Sequence, residues 1–66
     1  MTRDWETDPR PLSECLKAWH GRLGWTRARA ASELRVPIAT YHEWCDGRPC
    51  RYEAAFRLLM SFLEQK

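Results

Sequence analysis

Residues 31–49, "ASELRVPIATYHEWCDGRP", hold two helical patterns separated only by Arg35, Val36 and Pro37. Thr26 is a good N-cap for a helix that runs through Leu34, with Ala30, Ala31 and Leu34 on one face. Small alanines let another helix come close. A proline breaks the helix before it and suits the first position of the next, so a third helix is expected to open near Pro37, and Gly47 would end it. Stepping about 100° per residue, this helix carries Tyr41 and Trp44 on one side, flanked by Thr40 and Cys45. Ala39, His42, Glu43 and Asp46 occupy the opposite side, and Ile38 lies at the boundary. The aromatic side anchors the helix in a core; the other side is left to meet a partner.

The flanking sequence is also helical. Leu12, Cys15, Leu16, Trp19 and Leu23 recur at the three- and four-residue intervals of an amphipathic helix that starts between Asp8 and Leu12. Gly24 suits its C-terminal cap. Gly21 costs about 1 kcal/mol relative to alanine, which predicts an irregular last turn. A fourth helix is expected from Pro49 to Glu64. Strand alternation and repeats are absent. The fold class is therefore an all-α domain of four or five helices over residues 9–66, preceded by a flexible tail, residues 1–8, in which Trp5 hints at partial folding back.

A chain of 66 residues is one small domain, because such chains bury only about 60% of their unfolded surface. No apolar run could cross a bilayer, and the polar start "MTRDWETDPR" is unlike a signal peptide. A cytoplasmic protein without membrane contact is expected. Three cysteines in such a chain read as free thiols. His42, Cys45 and Cys50 lack a fourth ligand and match no common zinc spacing, so neither metal nor cofactor is expected. Residues 1–9 set Arg3 against Asp4, Glu6 and Asp8, a net −2, so ten cations against six acids leave +4 in residues 10–66. Nine of the eleven cations are arginine, whose planar fork suits phosphates and guanine edges.

Residues 24–49 resemble the helix-turn-helix of the lambda-repressor and Cro-like family, the xenobiotic-response-element type. Its pattern of N-cap, small buried residue, helix-closing apolar residue, apolar turn residue, two anchors and glycine is matched by Thr26, Ala31, Leu34, Val36, Tyr41, Trp44 and Gly47. With a helix on either side, the resemblance covers about residues 11–63. It implies a DNA-binding transcriptional regulator, a small repressor of phage or mobile-element type, whose third helix enters the major groove of double-stranded DNA. Ile38, Ala39, Thr40, His42 and Glu43 would read bases, and Arg27, Arg29, Arg48 and Arg51 would hold the sugar-phosphate backbone. Arg27 would be aided there by the positive start of its helix. Two departures stand out. Arg35 takes the turn position where the family usually has glycine, and the reading side lacks Arg, Lys, Asn and Gln, the usual readers of guanine and adenine.

The last helix spreads Ala55, Phe56, Leu58, Leu59, Met60, Phe62 and Leu63 over roughly two-thirds of its circumference, more than one core contact needs. Arg57, Ser61 and Glu64 share the polar remainder. The surplus predicts a homodimer through Leu58, Phe62, Leu59 and Met60, reading an inverted repeat. Two other readings stay open. "AASELRVPIATYHEW" also resembles the short helix-turn-helix of excisionase-like architectural factors, and the acidic Glu43 and Asp46 suit a protein-interaction module. No triad, phosphate loop or paired carboxylates can be assembled around His20 or His42, so neither an enzyme nor a small-molecule substrate is expected.

Overall fold

The computed structural model describes residues 5–64. One turn of 3-10 helix, Trp5–Thr7, precedes four α-helices: α1 (Leu12–Leu23), α2 (Arg27–Glu33), α3 (Ile38–Cys45) and α4 (Glu53–Glu64). Among the described residues there is no strand, and no helix is long and apolar enough to cross a membrane. The fold is all-α, as the sequence predicts. α3 packs on both α1 and α2, while α4 packs on α1 and on the 3-10 turn.

The path of the chain is set by three helix endings of one kind. At the end of α1, Trp25 N–H donates to the His20 carbonyl (2.9 Å) and Gly24 N–H to that of Gly21 (3.2 Å). At the end of α2, Val36 donates to Ala31 (3.0 Å) and Arg35 to Ser32 (3.1 Å); at the end of α3, Arg48 donates to Glu43 (3.0 Å) and Gly47 to Trp44 (3.1 Å). Each is a Schellman pair, which needs a left-handed residue after the helix. Gly24 (φ 71°) and Gly47 (φ 100°) take that conformation freely, whereas Arg35 (φ 62°) takes it with a side chain. Gly21 does not disturb α1, which stays regular through Leu23. After the α2 ending, Pro37 restarts the chain as α3. Thr26 caps α2, its Oγ1 accepting from Arg29 N–H at 3.1 Å.

The core takes Leu12, Cys15, Leu16 and Trp19 from α1, Ala30 and Ala31 from α2, Leu34 after it, Tyr41, Trp44 and Cys45 from α3, and Met60 from α4. Trp19 meets Trp25 edge-on with ring centroids 5.4 Å apart, and Trp44 lies 4.9 Å from Phe56. The first pairing holds the start of α2 to α1, and the second holds α3 to α4.

Two expectations are corrected here. Residues 5–8 are not a flexible tail: Trp5 is 1% exposed, and its backbone N–H donates to Ser61 Oγ at 2.9 Å. Residues 1–4 lie outside the described residues. The polar arc of α4 also faces inward. Arg57 Nη1 donates to the carbonyls of Trp5 (3.0 Å) and Asp8 (3.1 Å), and Nη2 to that of Arg10 (2.7 Å). Its Nε reaches Glu53 at 2.9 Å, and Nη1 also contacts Cys15 Sγ at 3.2 Å. Ser61 Oγ donates to Glu6 Oε2 at 2.7 Å. A buried guanidinium needs hydrogen-bond partners, and three carbonyls of the N-terminal strap, residues 5–10, supply them together with Glu53 and Cys15.

α4 begins at Glu53 rather than Pro49, because the ending at Gly47 and the restriction that Pro49 places on Arg48 keep the loop out of helix. Met60 is 0% exposed and Leu59 is half-buried, so Met60 belongs to the core and cannot serve as a dimer contact. Leu58 (59%) and Phe62 (60%) remain outward.

Two stability outcomes follow. Trp5→Ala should cost about 3 kcal/mol in urea unfolding, since it empties a closed aromatic site. Arg35→Gly should raise stability by about 0.5–1 kcal/mol, the relief of left-handed backbone outweighing the added freedom of the unfolded chain.

Candidate nucleic-acid interface

The outward side of α3 is built by what its inward side buries. Tyr41 is fully buried, and its hydroxyl donates to the Leu16 carbonyl at 3.4 Å and lies 2.8 Å from His20 Nδ1. Trp44 and Cys45 are buried beside it. Ala39, His42, Glu43 and Asp46 are consequently exposed, Ile38 is 45% exposed, and Thr40 is half-buried at the edge. The sides expected from helical spacing are the ones observed.

α2 adds one more group to this surface. Arg27 opens α2 and crosses to α3, where its Nη1 lies 3.0 Å from His42 Nδ1. Arginine can only donate, so Nδ1 must accept, and the neutral ring carries its proton on Nε2. The pair thus offers donors alone: the free N–H groups of the guanidinium and the Nε2–H of His42. Glu43 and Asp46 beside it are acceptors, and Ile38 and Ala39 are apolar.

The other expected backbone cations are not gathered here. Arg29 lies on the far side of α2 from Arg27, its guanidinium 4.8 Å over the Trp25 ring and 3.8 Å from Glu33. Arg48 and Arg51 are exposed in the loop after α3. Arg48 lines a cleft with Arg10, Arg57, Asp8 and Glu53. Among the described residues, no group of three or more His, Cys, Asp or Glu could hold a metal ion.

Sequence reasoning missed the partners of both histidines. Tyr41 is 21 residues from His20, and Arg27 is 15 from His42, and no local periodicity connects such positions. Burial, reinforced by the charge of Arg27, lowers the affinity of His20 for a proton below that of an ordinary histidine. Burial likewise pushes the Tyr41 hydroxyl and the thiols of Cys15, Cys45 and Cys50 upward, so all four stay protonated at neutral pH.

A histidine whose folded pKa is lowered binds its proton first in the unfolded chain. Stability should therefore fall as pH drops below about 6.5 toward the lower folded value. Thermal melts between pH 7 and pH 5 should show this loss, and it should shrink in His20→Gln. No protein-family model matches the chain, and comparison with curated proteins and with solved structures finds no match.

Proposed function

We propose that the protein is a sequence-specific DNA-binding regulator, a small repressor of the lambda-repressor and Cro-like kind, which lays the exposed side of α3 in the major groove. The observation that carries this reading is the sinking of Tyr41 and Trp44, which leaves Ile38, Ala39, His42 and Glu43 on a free convex helix face beside α2. A major groove about 12 Å wide admits such a helix. Arg48 and Arg51, exposed in the following loop, supply affinity for the phosphate backbone. No enzymatic step is assigned to the protein.

The reading includes a twofold dimer through α4. Its outward stripe of Ala55, Leu58, Leu59 and Phe62 forms an apolar groove. The polar arc of the same helix is spent inside the protein on Arg57 and Ser61. A single helix stripe with no charge in it complements itself across a twofold axis, which favours a second copy as the occupant. Two α3 helices would then sit about 34 Å apart and meet an inverted repeat. Glu43 and Asp46 on the free face favour a second reading, a protein-interaction module, in which an electropositive partner takes the place of DNA.

Selection of DNA from a random pool, with the solution mass of the protein, tests both parts. The regulator should enrich an inverted repeat and bind it about a thousandfold or more tighter than scrambled DNA, with affinity falling steeply as salt rises. Failure to retain any DNA at low salt would overturn the regulator in favour of the interaction module. Phe62→Asp should give a monomer with unchanged circular dichroism and should abolish cooperative binding to the repeat. A wild-type protein of monomer mass at the concentrations where it binds would remove the dimer.

A further inference from the structure

Resting on the DNA-binding reading above, we infer that Arg27, held in place by His42, is a base-reading residue that recognises guanine. It brings from α2 the cation that the exposed side of α3 lacks. The resemblance to known repressors assigns Arg27 to a phosphate; its placement here points elsewhere.

The inference starts from a deficit. Among Ile38, Ala39, His42, Glu43 and Asp46 there is no arginine, lysine, asparagine or glutamine, so α3 has none of the side chains that most often make two-pronged contacts with purines. Glu43 and Asp46 can accept strongly, from the amino group of a cytosine, but neither can donate. The Arg27–His42 contact fills the gap. At 3.0 Å between Nη1 and Nδ1 it draws the guanidinium across the exposed side of α3. It also fixes the ring in the form that carries a proton on Nε2.

The remaining N–H groups of Arg27 and the Nε2–H of His42 form a surface that only donates. In the major groove, guanine is the base that presents two neighbouring acceptors, N7 and O6, and no donor; adenine sets an amino group beside its N7. A phosphate is also acceptor-only and can take the same fork, so what favours a base is position: Arg27 is held on His42, on the side of α3 that the DNA-binding reading lays in the groove. The His42 contact orients the fork, and orientation is what base reading requires. His42 is thus a positioning residue for Arg27 as well as a donor in its own right. With Glu43 one residue further along α3, each half-site should hold a guanine and a neighbouring cytosine.

Binding selections and gel shifts with four proteins test this: the wild type, Arg27→Ala, His42→Leu and His42→Asn. The wild-type site should contain a guanine whose replacement costs about tenfold or more in affinity. Arg27→Ala should bind with that one preference erased and the others kept. His42→Leu should weaken the same preference. His42→Asn, whose side-chain oxygen can stand where Nδ1 accepts, should restore it, a rescue that loss of packing would not give. Equal weakening on every sequence by Arg27→Ala, with a smaller salt dependence and no relaxed position, would overturn the inference and make Arg27 a phosphate contact. The regulator reading would survive that result. It fails separately, if the wild-type protein retains no DNA at all.

Discussion

What α3 offers to solvent is decided by where Tyr41 and Trp44 go. The Tyr41 hydroxyl is tied to the Leu16 carbonyl and to His20 on α1, and the Trp44 ring lies on Phe56 of α4. A helix of 8 residues has too few internal hydrogen bonds to persist alone, so these contacts hold α3 as a helix as well as orienting it. Its outward residues need no partners within the fold. The Schellman ending of α2, followed by Pro37, then sets how far α3 stands from α2, and so brings Arg27 within reach of His42.

The parts of the fold that were legible in the sequence are those written locally. The stripe of Leu12, Cys15, Leu16 and Trp19, the Thr26 cap, the glycines at 24 and 47 and the aromatic spacing of Tyr41 and Trp44 each report on a few neighbouring residues. What was illegible depends on distant partners. Arg57 looks like an ordinary surface arginine on the polar arc of α4, because the groups that bury it are backbone carbonyls 47 to 52 residues away, and a carbonyl leaves no mark in the sequence. The misplacement of Met60 has the same origin. Once Arg57 and Ser61 turn inward, α4 rotates relative to the simple expectation, and Met60 goes in with them. For the candidate site, the exposed residues of α3 were readable by helical geometry, whereas the Arg27–His42 contact depends on how α2 and α3 cross.

α4 therefore has an unusual division of labour. Its buried side includes a charged residue and a hydroxyl, and its exposed side is apolar. A helix that only completed a core would be arranged the other way round. The polar side fastens the N-terminal strap, and this leaves Leu58 and Phe62 of the apolar side exposed.

The strap is held in a way that bears on how the sequence can drift. Arg57 grips residues 5 to 10 through the carbonyls of Trp5, Asp8 and Arg10, atoms that every amino acid possesses. The strap also relies on side chains of its own: the buried indole of Trp5, the Glu6 carboxylate that accepts from Ser61, and the Asp8 carboxylate that pairs with Arg10 at 2.8 Å. Because the clasp asks only for carbonyls, drift in the strap is bounded by Trp5, Glu6 and Asp8, whereas a change at the one arginine would release the whole stretch at once.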